Sequence, residues 1–383
     1  MKLYYKYIGF YLFAFVLALP IPLIYSAIAL GIMLINGMLL INIFKIKCSF
    51  WVYLSVAFVL IDLVRSLIFE NFSFKGLDDT KLSFLIVPII FYNAKDYLIN
   101  QRRQILICFT AGVIAYVFYA IGYMIYFYNT YTNYTFSFTD HYIVYMLYNY
   151  LPGAYHHTYI GVYIAFAVVI LLQQVIELQI SFKKVLALTF LILIFTIQVY
   201  IGSKMTMIIS ALGVAYYLSS FIKNSKKLLV IYSALLSLAL FLAYIIRDWL
   251  IISINSVWYR VEYLKESMNL ISQNYLFGIG LDNIKDNEII IQGEIKALIP
   301  HNVYLHDFLS NGLIGFILIL YMFFFLFKRA NENRDRLFLT FTIMCFLLGL
   351  TEDFLYLQRG VFFFVFFSSL FLINKKLSFE KKN

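Results

Sequence analysis

The chain has 383 residues, of which 63% are hydrophobic and only 13% are charged. An ordinary soluble domain cannot cover so much apolar surface, and the composition therefore excludes one. The net charge of +10 lies in short basic clusters between apolar segments, which indicates orientation in a membrane and not a nucleic-acid surface. The three cysteines, Cys48, Cys108 and Cys345, show no C-x-x-C spacing and predict neither a disulfide framework nor a thiolate metal site.

Apolar segments of about 20 residues, the length of one bilayer crossing, recur along nearly the whole chain. They predict an all-α fold, a polytopic membrane helical bundle that forms a single integral membrane domain over residues 1–383. We expect about 12 transmembrane helices, of which the fourth and the eleventh are short. The predicted spans are 7–24, 26–44, 50–69, 82–95, 104–128, 158–176, 185–202, 205–221, 228–247, 303–327, 337–351 and 358–374.

Basic residues cluster before the first predicted span, after the last one and in alternate loops between them. By the positive-inside rule, both termini are then cytoplasmic. Two segments on the opposite, outer side are longer than simple turns. One covers about 129–157, and the other, 248–302, is the longest polar segment and lies between the ninth and tenth spans. Because long loops in compact proteins are usually functional, we expect the functional site on this side.

The large outer loop contains a predicted amphipathic helix over residues 256–273. Its apolar residues recur at three- and four-residue spacing, which places them on one face of the helix. These residues are Trp258, Val261, Leu264, Met268 and Ile271. Such a helix is typical of a segment that lies along a membrane surface. The sequence LFGIGLDN follows, and its Gly278 and Gly280 predict a turn where the backbone bends tightly or approaches a ligand.

The stretch from Ala297 to Leu320 joins this loop to the tenth span. Pro300 disfavours helix at the residue before it, so the helix begins close to His301 and Asn302. Unpaired backbone N–H groups and the helix dipole favour anions at such a position and disfavour a charged imidazole. A neutral His301 is therefore a candidate general base. The alternative is a histidine that only anchors the helix end.

Other polar residues on or near the predicted outer side are candidates to bind a ligand. The candidates for binding an anion are Lys204, Arg247, Arg260 and Arg359. The alternative for each is an interface anchor or a snorkelling side chain. Two further histidines, His156 and His306, are candidates for polar contacts with a ligand. The alternatives for His306, together with Asp307, are a buried polar pair or a group that orients His301. Asp62 and Arg65, three residues apart near the outer end of the third span, predict a local ion pair.

Three ordered segments carry a resemblance to a known family: GSKMTMIISAL (202–212), YRVEYLKESMNLISQNYLFGIGLDN (259–283) and PHNVYLHDFLSNGLIGF (300–316). Together with the span number and the large loop between the ninth and tenth spans, they resemble the O-antigen ligase and O-antigen polymerase superfamily. The resemblance covers residues 200–327. The segment YHHTYIGVYIA (155–165) also resembles a His-Pro-Thr-Tyr stretch of some relatives, with His157 in the place of the proline.

The resemblance implies a membrane glycosyltransferase whose donor is a glycan on undecaprenyl diphosphate, at the periplasmic face of the bacterial inner membrane. A ligase transfers the glycan to the lipid A–core, and a polymerase transfers it to another lipid-linked repeat unit. The residues do not separate the two, although the His-Asn-x-x-Leu segment resembles the ligase more closely. The implied partners are this donor, a glycan or lipid A–core acceptor and the bilayer.

We expect no cofactor and no nucleic-acid partner. The residues also predict no metal, because the chain has no H-E-x-x-H or D-x-D spacing and its first outer turn, Pro20 to Tyr25, has no acidic residue. The alternative is a cation bound by His156 and His157 near Asp140 and His141.

The resemblance also implies a role for each candidate residue. Where the family carries Ser-Arg, this chain has Ser203 and Lys204, and lysine supplies a point charge in place of a planar two-pronged donor. Arg260 and Lys204 hold the diphosphate in this scheme, and His301 takes the proton of the acceptor hydroxyl with inversion at the anomeric carbon. The remaining substrate-binding candidates are Arg247, Arg359, Asn302, His156 and His306.

Two other classes of protein are compatible with a polytopic membrane chain. A flippase or transporter also often has about twelve spans, but it places charged residues deep within several spans around a central cavity. This chain keeps nearly all of its charges at the span ends, which favours the enzyme. A structural scaffold for other membrane enzymes is the third possibility, and its function would not depend on any histidine or arginine.

Overall fold

The computed structural model describes residues 7–19, 21–42, 45–69, 81–131, 157–179, 182–201, 203–219, 254–291 and 294–373. Within these residues the fold is almost entirely helical, and each predicted span except the ninth overlaps a helix. The first of these helices, Ile8–Leu17, is shorter than its predicted span, 7–24. The ninth predicted span, 228–247, lies outside the described residues.

The described residues form α-helices in the following chain order. They are α1 (Ile8–Leu17), α2 (Leu23–Leu40), α3 (Phe50–Phe69), α4 (Leu82–Asn93), α5 (Lys95–Leu98), α6 (Arg102–Tyr131), α7 (His157–Glu177), α8 (Phe182–Ile201), α9 (Lys204–Ser219), α10 (Ile254–Gln273), α11 (Leu281–Asp286), α12 (Val303–Glu332), α13 (Arg336–Gly349) and α14 (Gln358–Leu372). Two short 3-10 helices, Ile99–Gln101 and Phe354–Tyr356, lie before α6 and before α14.

Four helical segments of the described chain are long and apolar enough to cross a membrane. They are Phe50–Leu67, Lys95–Thr130, Thr158–Glu177 and Val303–Glu332. Shorter apolar helices of 10–17 residues pack against them. The structure therefore supports a multi-pass, helical membrane protein, and the number of twelve spans stays a prediction.

The last helix, α14, lies in the centre of the bundle, where nearly every one of its side chains is buried. Two of its aromatic rings, Phe363 and Phe367, each contact Phe109, Phe166 and Phe341 of the neighbouring helices. The rings meet at tilted or edge-on angles, which aromatic pairs prefer to a face-to-face arrangement. Because α14 is held by these contacts, the turn that precedes it, residues 350–357, has a fixed position at one end of the bundle.

The predicted outer loop contains regular structure wherever it is described. Helix α10 begins two residues before the predicted helix and ends at the same residue, Gln273. After α11, the strands β1 (Glu288–Ile291) and β2 (Glu294–Ala297) form an antiparallel hairpin with Glu288 opposite Ala297. This hairpin is an exception to the all-α prediction, and it leads directly to Pro300 and the start of α12.

Helix α10 has a buried face and an exposed apolar face. Tyr263, Ser267 and Ile271 are buried, and the two apolar members belong to a small cluster with residues of α11 and α12. The exposed apolar residues are Trp258, Val261, Leu264 and Met268. The predicted apolar stripe is therefore exposed except for Ile271, which lies on the side that faces the protein.

Helix α12 is broken at Gly312, where the sequence predicts an uninterrupted span. Gly312 has φ 66° and ψ −157°, so two helical segments meet there at a kink. The break leaves backbone groups without their usual helical partners. The segment after α10 supplies replacements, because Ile279 N–H donates to the Leu309 carbonyl at 2.7 Å and Leu313 N–H donates to the Tyr275 carbonyl at 2.8 Å.

The turn predicted from Gly278 and Gly280 is the segment that fills this break. The backbones approach so closely that a Cβ atom on Gly278 would lie 2.4 Å from the Leu309 carbonyl oxygen. A Cβ atom on Gly312 would lie 2.2 Å from the Leu276 carbonyl oxygen. Gly278 and Gly312 also have positive φ, a conformation that glycine adopts without a steric penalty. The two glycines therefore allow the loop to dock into α12.

Candidate functional site

A buried carboxylate, Glu352, joins three distant parts of the chain. It lies in the turn between α13 and α14 and is 4% exposed. Its Oε1 accepts hydrogen bonds from Thr158 Oγ1 and from the Arg260 guanidinium, both at 3.3 Å. Its other oxygen, Oε2, lies 3.8 Å from His301 Nδ1. The structure thus brings together His301 and Arg260, two residues singled out from the sequence, around a carboxylate that was not.

The backbone at His301 is held in a conformation that few residues adopt. His301 has φ 48° and immediately precedes Asn302, the N-cap of α12. The Asn302 side-chain oxygen accepts from the backbone N–H groups of Tyr304 and Leu305, each at 3.0 Å. The Asn302 amide group donates to the Leu350 carbonyl at 3.1 Å. Asn302 therefore fixes the start of α12 and ties His301 to the turn that carries Glu352.

The His301 ring has one buried edge and an open remainder. Its Nδ1 is buried and has no hydrogen-bond partner among the described residues, while 29% of the side chain is exposed. Tyr263 of α10 meets the ring edge-on, with 5.8 Å between centroids. The imidazole is therefore packed on two sides, and a ligand can approach it from a third.

Arg260 presents its charge toward the open side of the site. One of its terminal nitrogens donates to Glu352, and 41% of the side chain is exposed. The remaining guanidinium donors can bind an anion that approaches from this side, because arginine carries five N–H groups in a planar fork. The exposed apolar residues of α10 lie on the same helix as this charge.

A second carboxylate, Asp353, pairs with a second histidine. Asp353 Oδ2 lies 3.3 Å from His306 Nδ1, and the His306 ring stacks on Tyr356 with 3.6 Å between centroids. Burial raises the pKa of Asp353, but the hydrogen bond from His306 and the positive charges of His306 and His301 outweigh burial. The pKa of Asp353 is lowered as a result. His306, predicted to bind substrate, thus has a partner within the protein.

Replacing Asp353 by asparagine should lower thermal stability at neutral pH and not at acid pH. A carboxyl group whose pKa is lower in the folded state stabilises the fold when it is ionised. This contribution is fully present above about pH 4, the ordinary carboxyl range, and is lost as the pH falls through the lowered folded-state pKa. Melting curves of the purified protein and the variant across this range measure the difference.

Glu332→Gln is the matched control for that experiment, because Glu332 forms an exposed pair with Arg329 and such pairs contribute little to stability. A stability difference between wild type and Asp353→Asn that stays constant from neutral to acid pH would contradict the ion pair.

Beyond Tyr356 lies a buried polar network that extends between α3 and α12. The Tyr356 hydroxyl donates to Asp307 Oδ1 at 2.5 Å. Asn311 donates to Asp62 at 2.6 Å, and Lys81 Nζ lies 2.7 Å from the same carboxylate. Lys81 is 1% exposed, so Asp62 has a fully buried cationic partner. Charges buried in this way are normally paired, and this network supports the turn that carries Glu352 and Asp353.

Arg65, predicted to pair with Asp62, binds the loop that enters the break of α12. Its Nε donates to the Phe277 carbonyl at 2.9 Å, and a terminal nitrogen donates to the Gly278 carbonyl at 3.0 Å. The two charged residues of α3 therefore hold different parts of the site: Asp62 contacts the helix, and Arg65 contacts the loop.

Arg359, a predicted substrate-binding residue, is buried and contacts backbone. Its guanidinium donates to the carbonyls of Leu19 and Ile21, and its own carbonyl accepts from the Tyr163 hydroxyl at 2.9 Å. These contacts tie the start of α14 to the turn between α1 and α2 and to α7. They give Arg359 a structural role in placing the turn before α14.

Three predicted residues fall partly or wholly outside the described residues. Arg247 and His156 lie outside them altogether. Lys204 is the first residue of α9, and its side chain lies outside what the structure describes. The start of α9 packs against α7, since a Cβ atom on Gly161 would lie 2.2 Å from Thr206 Oγ1. Lys204 thus begins a helix that borders the helix carrying Thr158.

The site also contains a set of atoms that are suitable ligands for a cation. One atom each from His301, Glu352 and Asp353 lie within 4.8 Å of one another. Imidazole and carboxylate groups bind divalent metals. The two carboxylates, however, already contact Arg260 and His306. A cation would have to compete with these partners.

Comparison with known proteins adds one finding. Residues 188–320 match the family model described as O-antigen ligase. The matched segment contains Arg260 and His301 and ends before Glu352. No curated protein matches the chain.

Proposed function

We propose that the chain is a membrane glycosyltransferase that transfers a glycan from undecaprenyl diphosphate to a sugar hydroxyl, because residues 188–320 match the family model described as O-antigen ligase. The observation that supports this best is the convergence of Arg260 and His301 on one carboxylate, Glu352. A cation for the leaving group and a base for the acceptor are the two groups this reaction needs. The site then faces the periplasm of a bacterial inner membrane, with both termini in the cytoplasm.

In this proposal His301 is the general base. Its Nδ1 faces Glu352, so we assign the ring proton to Nδ1. Nε2 then carries the lone pair that accepts a proton, and the Glu352 carboxylate beside Nδ1 sets the orientation of the ring. Nε2 takes the proton of the acceptor hydroxyl as that oxygen forms a bond to the anomeric carbon. The bond from this carbon to the diphosphate breaks at the same time, and its electron pair leaves with the phosphate. Attack from the face opposite the leaving group inverts the anomeric configuration.

Arg260 then binds the diphosphate. Negative charge increases on the leaving group as the glycosidic bond breaks, and a fixed cation stabilises that charge most strongly in the transition state. Lys204, at the start of α9, is the second cation we assign to the diphosphate, with Arg247 in a supporting role. Glu352 holds Arg260 in place and also stabilises the imidazolium form of His301.

The exposed apolar face of α10 fits a lipid-linked donor. Trp258, Val261, Leu264 and Met268 are exposed on the helix that carries Arg260. A helix with such a face lies at the boundary between head groups and acyl chains. Arg260 would then lie at the depth where the diphosphate of a polyprenyl carrier is found.

We propose that the reaction does not require a metal. Arg260 and His306 already contact the two carboxylates of the candidate cation set. Placing a divalent ion there would also occupy His301, the proposed general base. The alternative, a divalent cation held by His301, Glu352 and Asp353, makes the opposite prediction for chelation.

Purified protein in liposomes should transfer glycan from an undecaprenyl-diphosphate-linked donor to a glycolipid acceptor, equally well with and without EDTA. The Arg260→Gln variant should be slower, because the diphosphate loses its cation. Gln273→Ala is a suitable control, since Gln273 lies at the exposed end of the same helix. Absence of transfer to every acceptor tested would contradict the enzyme, and loss of activity in EDTA that magnesium restores would favour the cation site.

Ligase and polymerase share this donor and this chemistry. We propose the ligase, because the His-Asn-x-x-Leu segment at residues 301–305 resembles the ligase more closely. The surface polysaccharide of a deletion strain separates them. Loss of all attached polymer indicates a ligase, whereas attachment of single repeat units indicates a polymerase.

A further inference from the structure

A cavity lies at the opposite end of the bundle from Glu352. Its volume is about 360 Å³, and α3, α4, α12 and α14 contribute to its wall. Helix α12 begins at Val303, two residues after His301 at the site, and reaches Arg329 at this cavity. Helix α3 runs the other way, from Phe50 at the cavity to Arg65 at the loop beside the site. The cavity is therefore separate from the proposed glycosyl-transfer site.

The inner wall of the cavity is apolar and closely packed. Trp51 is 3% exposed, and its indole N–H donates to Ser369 Oγ at 3.2 Å. The Trp51 ring stacks parallel to Phe325, with 6.3 Å between centroids. Phe91 and Leu372 complete the apolar part of the wall. A preformed apolar wall of this kind suits the hydrocarbon portion of a ligand.

The mouth of the cavity carries positive charge. Lys95 and Arg329 line it and are exposed, and Asp96 is the one acidic residue of the lining. Arg329 pairs with Glu332 at 3.0 Å, but both side chains are about half exposed. Such a pair is weak in water, so a phosphate group that binds Arg329 more tightly can replace the Glu332 carboxylate.

More basic residues lie close to this mouth. The segment before α3 carries Lys45 and Lys47, which are exposed. Asn93 holds this segment beside the end of α4, because its side chain exchanges two hydrogen bonds of 2.8 Å with the backbone of Lys47. The cationic surface therefore extends outward from the cavity.

We propose that this cavity binds an anionic glycerophospholipid from the surrounding leaflet, with its phosphate at the mouth and the start of its hydrocarbon portion against the apolar wall. The occupant needs an apolar part for the wall formed by Trp51 and Phe325, and a phosphate for Lys95 and Arg329. Basic pockets between transmembrane helices at the cytoplasmic side recognise anionic lipids for this reason, and aromatic residues such as Tyr92 are typical of the interface depth. This site does not depend on the glycosyltransferase assignment.

Native mass spectrometry of the full chain with phosphatidylglycerol or phosphatidylethanolamine tests the proposal. We expect phosphatidylglycerol to be retained at higher occupancy. The double variant Lys95→Gln/Arg329→Gln should bind it about 25-fold more weakly, since each of two cations near an anionic lipid surface contributes about a fivefold factor. The matched control is Lys328→Gln/Arg334→Gln, which removes two exposed basic residues at the same end of the bundle but outside the cavity.

The variant Ile99→Trp places a large side chain in the cavity without changing a charge and should also reduce lipid retention. Equal binding of phosphatidylglycerol by the double variant and its control would overturn the proposal, as would equal retention of the two lipids by the wild type. Displacement of bound lipid by inorganic phosphate alone would show a site for free anions, which also contradicts a lipid site.

Discussion

Replacing His301 by alanine should lower the rate of glycan transfer by about 10²–10⁴-fold, the usual contribution of a general base, and leave the protein folded in the membrane. The large effect follows from the position of the imidazole, which has one nitrogen beside Glu352 and an exposed remainder that we assign to the acceptor. His301→Gln keeps a polar side chain of similar size but cannot take up a proton. It should therefore be as slow as the alanine variant.

Initial rates of product formation with the reconstituted protein measure this effect, and melting temperatures show whether each variant is folded. In the wild type, we expect the rate to fall toward acid pH as the base becomes protonated. Both variants should lose this decrease, because their residual reaction does not use the His301 imidazole. Near-normal rates in His301→Ala would remove the histidine from the mechanism. Gln273→Ala should behave as the wild type in the same assay.

Substituting alanine for Gly312 should destabilise the protein by about 3 kcal/mol or more and lower the melting temperature by roughly 5 °C or more. A Cβ atom there would lie 2.2 Å from the Leu276 carbonyl oxygen, and neither backbone can move without losing the hydrogen bonds that close the break in α12. Alanine also has a steric penalty at the positive φ of this position. Displacement of the loop would in turn disturb α10, which carries Arg260.

Gly122→Ala is the matched control for this substitution. Gly122 lies within α6, and an added Cβ atom would have no other atom within 4 Å. Alanine favours a helix interior over glycine by about 0.5–1 kcal/mol, so this variant should be unchanged or slightly more stable. A Gly312→Ala protein as stable as Gly122→Ala would contradict the close docking of the loop against α12.

Much of the fold follows from apolar segment length, because a bilayer crossing requires a continuous run of apolar residues. Local chemistry also predicts the start of α12: Pro300 stops the chain from becoming helical earlier, and Asn302 is a favourable N-cap. The break at Gly312 could not be predicted in this way. Apolar residues continue on both sides of it, and the groups that stabilise it come from Tyr275 and Ile279, which are distant in sequence.

The candidate site shows the same division. His301 and Arg260 were identifiable from their ordered motifs, but Glu352 was not, because a carboxylate in a short turn between two spans has no local signature. Its importance comes from tertiary contacts with Thr158, Arg260 and His301. Lys81 was missed for a related reason. It follows a polar segment, so its sequence context indicates an exposed loop residue, whereas the fold buries its side chain against Asp62.

The buried charges also bear on the transporter alternative. Asp62, Lys81 and Asp307 lie inside the bundle. The structure therefore buries more ionisable side chains than the sequence indicated. They are linked by Asn311 and Tyr356 to the turn that carries Glu352. This arrangement suits a support for the proposed active site, and variants of these residues should reduce stability and transfer together.

Titrating the undecaprenyl-diphosphate-linked donor onto His301→Ala and Arg260→Gln tests most directly whether one imidazole and one guanidinium serve different halves of one reaction. We expect His301→Ala to bind the donor as tightly as the wild type while failing to transfer the glycan. Arg260→Gln should bind it several-fold more weakly. Unchanged donor affinity in Arg260→Gln, or lost affinity in a folded His301→Ala, would contradict these roles.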